Sequence, residues 1–158
     1  MKLLAGGLLL LFAGLQFVQP YPRTNPPSHP SHDIHALIAI PPDVDRILDK
    51  ACVNCHSNKT EWPIWGRVAP TSWLVTKDVL DGRKVFNFSE WKPLAEKKPA
   101  VAATLLLSGC AGIQSGKMPK AGYLLTHPNA KLNAAETQLF CGWAKQEAKA
   151  LLRAKRRT

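Results

Sequence analysis

One short segment has residue types and a spacing that could do chemistry: Cys52, Cys55 and His56, in the order Cys-Val-Asn-Cys-His. Two thiols three positions apart, followed directly by a histidine, are typical of a site where c-type haem is attached. The thiols can bond to the two vinyl groups of a porphyrin, and the imidazole can ligate the iron from one face. The segment predicts one covalently attached haem c, with His56 as the first axial ligand.

This CxxCH segment (residues 52–56) admits two other interpretations, a thioredoxin-like redox pair and half of a zinc site. A redox pair would be expected at a strand-to-helix turn in a βαβ pattern, and the sequence contains no such pattern. A zinc site would need a second pair of closely spaced ligands, but Cys110 and Cys141 are 31 positions apart. Haem attachment is therefore the favoured interpretation.

A six-coordinate haem iron needs a second axial ligand, for which the sequence offers few candidates. Apart from Met1, the only methionine is Met118, in Gly-Lys-Met-Pro directly after a predicted helix. The proline favours an extended loop from which the thioether can reach iron, whereas methionines that fill a core usually lie within helices. His127 is the alternative ligand, and an open face is the third option. Ligation by His and Met would raise the reduction potential.

The first residues of the chain are apolar and are predicted to be separate from the domain. Leu3 to Val18 is a run of sixteen residues without a charge, which is typical of a secretory signal or a short membrane anchor. Residues 1–19 therefore predict export, and an uncleaved anchor at the periplasmic face of a bacterial inner membrane is favoured. A cleaved leader would give a periplasmic or secreted protein. An oxidising compartment suits haem attachment and disulfides.

Residues 20–42 contain seven prolines and three histidines, His29, His32 and His35. This composition predicts a partly polyproline linker that supplies reach rather than packing. The regular spacing of the histidines resembles a metal site, but histidines in a proline-rich segment are more often merely solvated.

The remaining sequence predicts an all-α domain over residues 43–144. It is expected to be a small, cytochrome c-like helical domain whose long loops wrap around one covalent haem. Five tryptophans could fill its core or line the haem, and no stretch favours β-strands. Cys110 and Cys141 form an even pair in an oxidising compartment, which predicts a disulfide, with two free buried thiols as the alternative.

Capping and stop residues predict the boundaries of the helices. One helix begins after Pro42 and ends with the CxxCH segment, and a second is capped by Thr71 or Ser72 and stopped by Gly82. Further expected boundaries are a cap at Ser89, a helix over Ala100–Ser115 that Gly116 ends, and a final helix that begins with a capping box of Asn133 and Glu136.

The formal net charge is +10, and half of this excess lies near the C-terminus. Residues 145–158, the predicted basic tail, hold six basic residues and one acidic residue, a balance of +5. Such a tail is usually a solvated helix end, although it could contact anionic lipid or an acidic partner. Lys117 and Lys120 flank Met118 and could steer an acidic redox protein. No nucleic-acid-binding motif accompanies the charge, so no nucleic-acid partner is predicted.

Several blocks of the sequence, taken in order, resemble the haem-binding domain family of exported, often membrane-tethered bacterial monohaem proteins. The blocks are residues 23–27, 52–58, 62–63, 68–70, 72–74, 87–91, 116–119, 125–128 and 130–132, and the resemblance extends from Arg23 to Trp143. It implies covalent haem at Cys52 and Cys55, His56 as proximal ligand and Met118 as distal ligand. Cys110 and Cys141 match cysteines expected in the family.

Three functions follow as hypotheses. The first is a membrane-tethered monohaem c-type cytochrome that transfers electrons and is not an enzyme. The second is a haem-based redox or gas sensor, or an accessory domain, in which Met118 is displaced from the iron. The third and least favoured is a peroxidase-type enzyme, because a filled sixth position blocks peroxide.

Overall fold

The computed structural model describes residues 1–155, and these residues contain α-helices, shorter helical turns and loops but no β-strand. The prediction of an all-α domain is therefore confirmed. The α-helices are α1 (Lys2–Leu15), α2 (Pro42–Leu48), α3 (Asn54–His56), α4 (Thr71–Val85), α5 (Trp91–Lys97), α6 (Pro99–Gln114), α7 (Ala121–Thr126) and α8 (Ala134–Lys155). Residues 156–158, the end of the predicted basic tail, lie outside the described part of the chain.

The short helical turns occupy the connections between the α-helices. A π-helical stretch, Asp49–Val53, joins α2 to α3 without a break. The 3₁₀ turns are Pro30–His32, Ile34–Ala36, Ile64–Arg67, Phe88–Glu90 and Pro128–Ala130.

The core lies between α6 and α8, which pack along each other, and it is completed by α2 and α5. Each helix contributes an apolar face, and Trp91 of α5 is fully buried. The other buried side chains of this core include Val44, Ile47, Leu48, Ala102, Leu106, Phe140, Trp143 and Ala144. The sulfur atoms of Cys110 in α6 and Cys141 in α8 are 1.96 Å apart, so the predicted disulfide is present between the two principal helices.

Two boundaries of helices are confirmed by hydrogen bonds. Gly116 ends α6 with a φ of 70°, a conformation that glycine adopts without steric cost. At the start of α8, the Asn133 side chain accepts from the Glu136 backbone N–H at 2.9 Å, and the Glu136 carboxylate accepts from the Asn133 backbone N–H at 3.0 Å. This reciprocal pair is the predicted capping box.

Three other boundaries differ from the predictions. Helix α4 continues through Gly82 to Val85, and neither Thr71 nor Ser72 caps it with a side chain. The side chain of Asn87, not that of Ser89, caps the turn before α5 by accepting from the Ser89 N–H. A glycine can end a helix or permit close packing within it, and a serine can cap a helix or bond elsewhere. Here tertiary contacts determine which of these roles each residue has.

The proline-rich segment packs against the domain, so the expectation that it supplies reach rather than packing is wrong. Ile34 and Ile38 are buried members of the main core. His32 contacts Glu90 at 3.1 Å, and Asp33 accepts from Lys59 at 2.8 Å. The isoleucines between the prolines provide the apolar area that holds this segment in place.

His35 links this segment to α2 through two carboxylates. Its Nδ1 lies 2.6 Å from Asp33 and its Nε2 lies 2.9 Å from Asp45. Burial alone would lower the pKa of His35, but these two hydrogen bonds outweigh burial, and the pKa lies above its ordinary value. A protonated imidazole can donate from both nitrogens, so this geometry suits the charged form.

Helix α1 has no buried residue, and the chain after it is attached to the domain by hydrogen bonds. The side-chain amide of Gln16 donates to the Ala69 carbonyl at 3.3 Å and accepts from the Ala69 N–H at 2.9 Å. The indole of Trp73 donates to the Val18 carbonyl at 2.8 Å. Among residues 1–155, none of the helices combines the length and the mean hydropathy of a membrane span.

Candidate functional site

The CxxCH segment lies at the end of the continuous helical stretch formed by α2, the π-helical residues and α3. Pro42 begins α2, where its fixed φ suits the first turn and its missing N–H costs nothing. Val44, Ile47 and Leu48 anchor α2 in the core. Cys52 lies in the π-helical stretch, and Cys55 and His56 lie in the last turn, α3. The core thus fixes the direction from which both thiols and the imidazole are presented.

The imidazole of His56 is buried and held in one orientation. Its Nδ1 lies 3.4 Å from the Phe86 carbonyl oxygen, and the two rings stack with centroids 4.1 Å apart at an angle of 11°. Burial lowers the pKa of His56, although backbone hydrogen bonds to Phe86 and Gly82 oppose this shift. When Nδ1 carries the proton, Nε2 keeps a lone pair. This neutral tautomer is the form of histidine that ligates a metal.

The two thiols of the segment are unpaired and half-buried. Burial, with a smaller contribution from Cys55, raises the pKa of Cys52 to about 12. Burial, followed by the charge of Asp78, raises the pKa of Cys55 to about 11. Redox-active CxxC cysteines have a lowered pKa, because the thiolate is the nucleophile. This environment is therefore unlike that of a thioredoxin-type pair.

Helix α4 approaches the segment through Gly82. A Cβ at this position would lie 2.7 Å from the Cys55 carbonyl oxygen and 3.3 Å from the Cys55 Cβ. Only a residue without a side chain lets the two backbones come this close. This contact explains why a glycine lies within α4, three residues before the helix ends at Val85.

Arg83, the next residue of α4, connects two separate stretches of backbone. Its Nε donates to the Ser57 carbonyl at 2.7 Å, directly after the CxxCH segment. Its two terminal nitrogens donate to the Thr24 carbonyl at 2.9 Å, to Asn25 Oδ1 at 2.7 Å and to Thr60 Oγ1 at 2.8 Å. The planar guanidinium holds the chain on both sides of the site in one arrangement.

Asn58 is the centre of a second buried polar network. Its backbone N–H donates to Ser89 Oγ at 3.0 Å, and its side chain donates to the Pro27 carbonyl at 3.0 Å. The Asn87 amide donates to Asn58 Oδ1 at 2.7 Å. Satisfied buried networks of this kind stiffen the backbone around them. The residues that follow His56 are thus held from both sides.

Met118 lies in a short loop, residues 115–120, that begins where α6 ends. After Gly116, the backbone N–H groups of Lys117 and Met118 both bond to the Gly112 carbonyl, at 2.9 and 3.1 Å, which fixes the exit of the chain from α6. Met118 as a whole residue is 37% exposed, and the peptide bond to Pro119 is cis. The prediction that Met118 lies in a loop directly after a helix is confirmed.

Two contacts bring the chain around Met118 next to the CxxCH segment. Lys120 Nζ lies 2.5 Å from an Asp78 carboxylate oxygen on α4, and the charge of Lys120 also affects the pKa of Cys55 and of His56. The Tyr123 hydroxyl accepts from the Asn54 side chain at 3.4 Å. The structure therefore brings the predicted ligand loop and the predicted attachment segment together.

The other histidines lie in separate places. The ring of His127 stacks on Tyr123 with centroids 4.0 Å apart, and its Nδ1 lies 2.9 Å from Thr126 Oγ1. His32 and His35 contact carboxylates in the proline-rich segment, as described above. Within residues 1–155, no group of three His, Cys, Asp or Glu side chains is arranged to hold a metal ion.

Sequence reasoning missed the residues that support the site, namely Gly82, Arg83, Phe86 and Asn58. A glycine in the middle of an otherwise helical pattern was the one available signal, because it costs helix stability unless packing requires it. The contacts of Arg83 and Phe86 are distant in sequence and leave no local pattern.

The residues present fit a covalently attached haem. The site offers two thiols that are free of any disulfide, one and four positions before a buried imidazole. Nε2 of that imidazole has no hydrogen-bond partner among the described residues. The loop that carries the only internal methionine lies beside them. This donor set, two thiols for thioether bonds with an imidazole and a thioether for iron, is the one that c-type haem uses.

Comparison with known proteins identifies the family. No curated protein and no solved structure matches the chain. The model of one protein family, described as a haem-binding domain, matches residues 10–146, which include every candidate ligand and both disulfide cysteines. This match covers most of the 158 residues and supports haem as the cofactor. The chain belongs to the haem-binding domain family.

Proposed function

We propose that the chain is a monohaem c-type cytochrome that transfers electrons on the outer side of the cytoplasmic membrane. Cys52 and Cys55 would hold the haem through thioether bonds, and His56 and Met118 would ligate its iron. When bound, the haem supplies a one-electron redox centre. The chain's own residues attach that centre, orient its ligands and limit the access of water.

The observation that carries this proposal is the arrangement of His56. The Phe86 carbonyl accepts from Nδ1 and the Phe86 ring stacks on the imidazole, which fixes its orientation and leaves Nε2 available to iron. Burial lowers the pKa of His56, which favours the neutral form that a metal needs. The unpaired thiols belong to the same two helical turns as the imidazole. A single rigid helix end thus carries the attachment groups and the first ligand.

Met118 is the proposed second ligand because its loop is held beside this helix end. A thioether favours ferrous iron, which raises the reduction potential into a range useful for electron transfer. His127 is the alternative ligand, since its stacking partner Tyr123 bonds to Asn54 within the CxxCH segment.

Covalent attachment is tested by the intact mass of the holoprotein after extraction with acidified acetone. The expected mass is that of the chain plus one haem, because thioether bonds survive the extraction. The Cys52→Ser/Cys55→Ser variant should lose all of its haem to the organic phase. The Cys110→Ser/Cys141→Ser variant is the matched control and should keep it. Haem that is extracted from the parent chain would refute the proposal.

A second candidate function is a sensor in which an external ligand displaces Met118. The observation that favours it is that Met118 lies in the loop 115–120 and not within a helix, so its thioether can leave the iron without disturbing a helix. Carbon monoxide added to the reduced holoprotein separates the two functions. An unchanged spectrum supports the electron carrier, and rapid binding supports the sensor.

The partner of the electron carrier is proposed to be an acidic redox protein. Lys117 is exposed beside Met118, and Lys120 projects from the same loop with a carboxylate of Asp78 against it. Positive charge near the redox centre steers an acidic partner towards it and makes the association sensitive to salt. Apolar α1 is proposed to attach the protein to the periplasmic face of the inner membrane.

A further inference from the structure

The surface next to the end of α1 combines exposed apolar side chains with very little charge. Ile64 is 80% exposed and Leu74 is 66% exposed, and Trp65 and Val68 are also exposed. Ile64 and Trp65 lie in the turn Ile64–Arg67, Val68 follows that turn, and Leu74 lies in the first turn of α4. We call these four side chains the 64–74 surface. Exposed apolar residues that are scattered singly need no explanation, but a group on consecutive elements does.

This surface is continuous with α1. Ala69, which follows Val68, makes both hydrogen bonds with Gln16. Trp73, which precedes Leu74, donates to the Val18 carbonyl. The exposed residues thus flank the two points at which the chain after α1 is attached. The C-terminal end of apolar α1 and the 64–74 surface therefore lie next to each other.

Hydrogen bonds attach the chain after α1 to the domain at several points. Gln16 bonds to both backbone groups of one residue, and Arg23 donates to the Gly66 carbonyl at 3.1 Å in the turn that carries Ile64 and Trp65. An apolar helix joined to a domain in this way determines which side of the domain lies closest to the membrane. A flexible tether would leave that side undetermined.

The composition of the surface matches the boundary between lipid and water. From Pro63 to Thr76 the only charged residue is Arg67, which is exposed. Tryptophans and tyrosines concentrate at membrane interfaces, and arginine can extend from apolar surroundings to lipid phosphates. Trp65 and Trp73 both lie in this stretch.

We propose that the 64–74 surface rests on the lipid bilayer beside α1 and holds the domain in one orientation. The proposal rests on the attachment through α1 that was proposed above. Gly82, which contacts Cys55, lies eight residues after Leu74, or about 12 Å further along α4. The haem site would then be kept at a fixed short distance from the headgroups.

The test measures tryptophan fluorescence of the full holoprotein in vesicles of phosphatidylcholine and phosphatidylglycerol. Each variant is compared in normal vesicles and in vesicles whose acyl chains are brominated near the headgroup, because bromine quenches tryptophans that lie at that depth. For each protein, the fluorescence in brominated vesicles is divided by that in normal vesicles. Quenching by haem is the same in both and therefore cancels. The parent should be quenched, and Trp65→Phe should lose a large part of this quenching.

Leu74→Glu should also lose most of the quenching, because a carboxylate would lift the surface away from lipid. Leu107→Glu, at an exposed apolar position of α6, is the control and should be quenched like the parent. The proposal would be overturned if the parent and the three variants were all quenched equally. It would also be overturned if none of the four proteins were quenched. Sedimentation with the vesicles separates this failure from a failure of α1 to attach the chain.

A second copy of the chain is the other possible occupant of the surface. In that case the detergent-solubilised protein would sediment as a dimer, and Leu74→Glu would convert it to a monomer. That result would overturn the lipid assignment. Retention of haem on the intact chain is measured in the same samples, so a defect in the haem site is recognised independently.

Discussion

A Cβ atom on Gly82 would lie 2.7 Å from the carbonyl oxygen of Cys55. Alanine at this position must push α4 away from the CxxCH segment, because the contact is with backbone that cannot rotate aside. Overpacking of this kind costs about 1–3 kcal/mol, which exceeds the gain of up to about 1 kcal/mol from replacing a helical glycine. Gly82→Ala should therefore lower the urea midpoint and reduce the haem content.

Gly142→Ala in α8 is the matched control. Beyond its chain neighbours and the backbone of its own helix, no atom lies within 4 Å of a Cβ at Gly142, so only the gain in helix propensity should remain. The stability of this variant should equal or exceed that of the parent. If the two alanine variants behave alike, the close approach of α4 to Cys55 does not limit stability.

Replacement of Met118 tests the second axial ligand. Met118→Ala should abolish any charge-transfer band between sulfur and ferric iron and should lower the reduction potential, because the thioether favours ferrous iron. Visible spectra and a redox titration measure both effects. Leu125→Ala, a neighbouring exposed aliphatic position, should change neither. If His127 is the ligand instead, the change will appear in His127→Ala and not in Met118→Ala.

The pair of carboxylates around His35 predicts a pH-dependent contribution to stability. Burial would lower the pKa of His35, but the bonds to Asp33 and Asp45 outweigh it and raise the pKa above its ordinary 6.5. A group with a raised folded pKa contributes fully below its unfolded pKa, and the contribution disappears as the pH rises through the folded value. His35→Gln should therefore destabilise the protein more at about pH 5.5 than at about pH 9.

Urea denaturation at both pH values measures this difference. His29→Gln is the control, since the His29 side chain forms no hydrogen bond among the described residues. The His29→Gln substitution should change the urea midpoint only slightly, and by the same amount at both pH values. A loss in His35→Gln that does not depend on pH would show that the imidazole contributes by packing and not by charge.

The disulfide between α6 and α8 predicts a defined loss of stability when it is removed. Closing a loop of this length restricts the unfolded chain by about 3 to 4 kcal/mol in the loop-entropy model. Cys110→Ser/Cys141→Ser should lose a similar amount, as measured by urea denaturation. A reducing agent should destabilise the parent in the same way and leave the double variant unchanged. Thioether bonds are not reduced, so the haem should remain attached throughout.

Local chemistry accounts for the parts of the fold that could be predicted. Asn133 with Glu136, and Gly116 after α6, are short-range signals whose hydrogen bonds form within a few residues. The same holds for the CxxCH segment, whose neighbouring Cys and His residues suggest one cofactor. Met118 was recognisable because it lies between a helix stop and a proline.

Long-range packing accounts for the parts that could not be predicted. Ile34 and Ile38 lie among prolines, and nothing nearby in sequence indicates that they join the core. Gly82 looks like a helix stop until its contact with Cys55 is known. Arg83 bonds to residues up to 59 positions away, so no window of sequence contains its partners.

The π-helical stretch Asp49–Val53 begins where α2 ends and includes the first two residues of the CxxCH segment, Cys52 and Val53. A π turn holds an additional residue relative to an α turn, so it changes the direction in which all following side chains point around the helix axis. Deleting Lys50, which precedes Cys52 in this stretch, would rotate Cys52, Cys55 and His56 by about 100° around the helix axis while α2 stayed in the core. The direction in which the haem site faces is therefore encoded by the number of residues before Cys52, and not by the five letters of the segment.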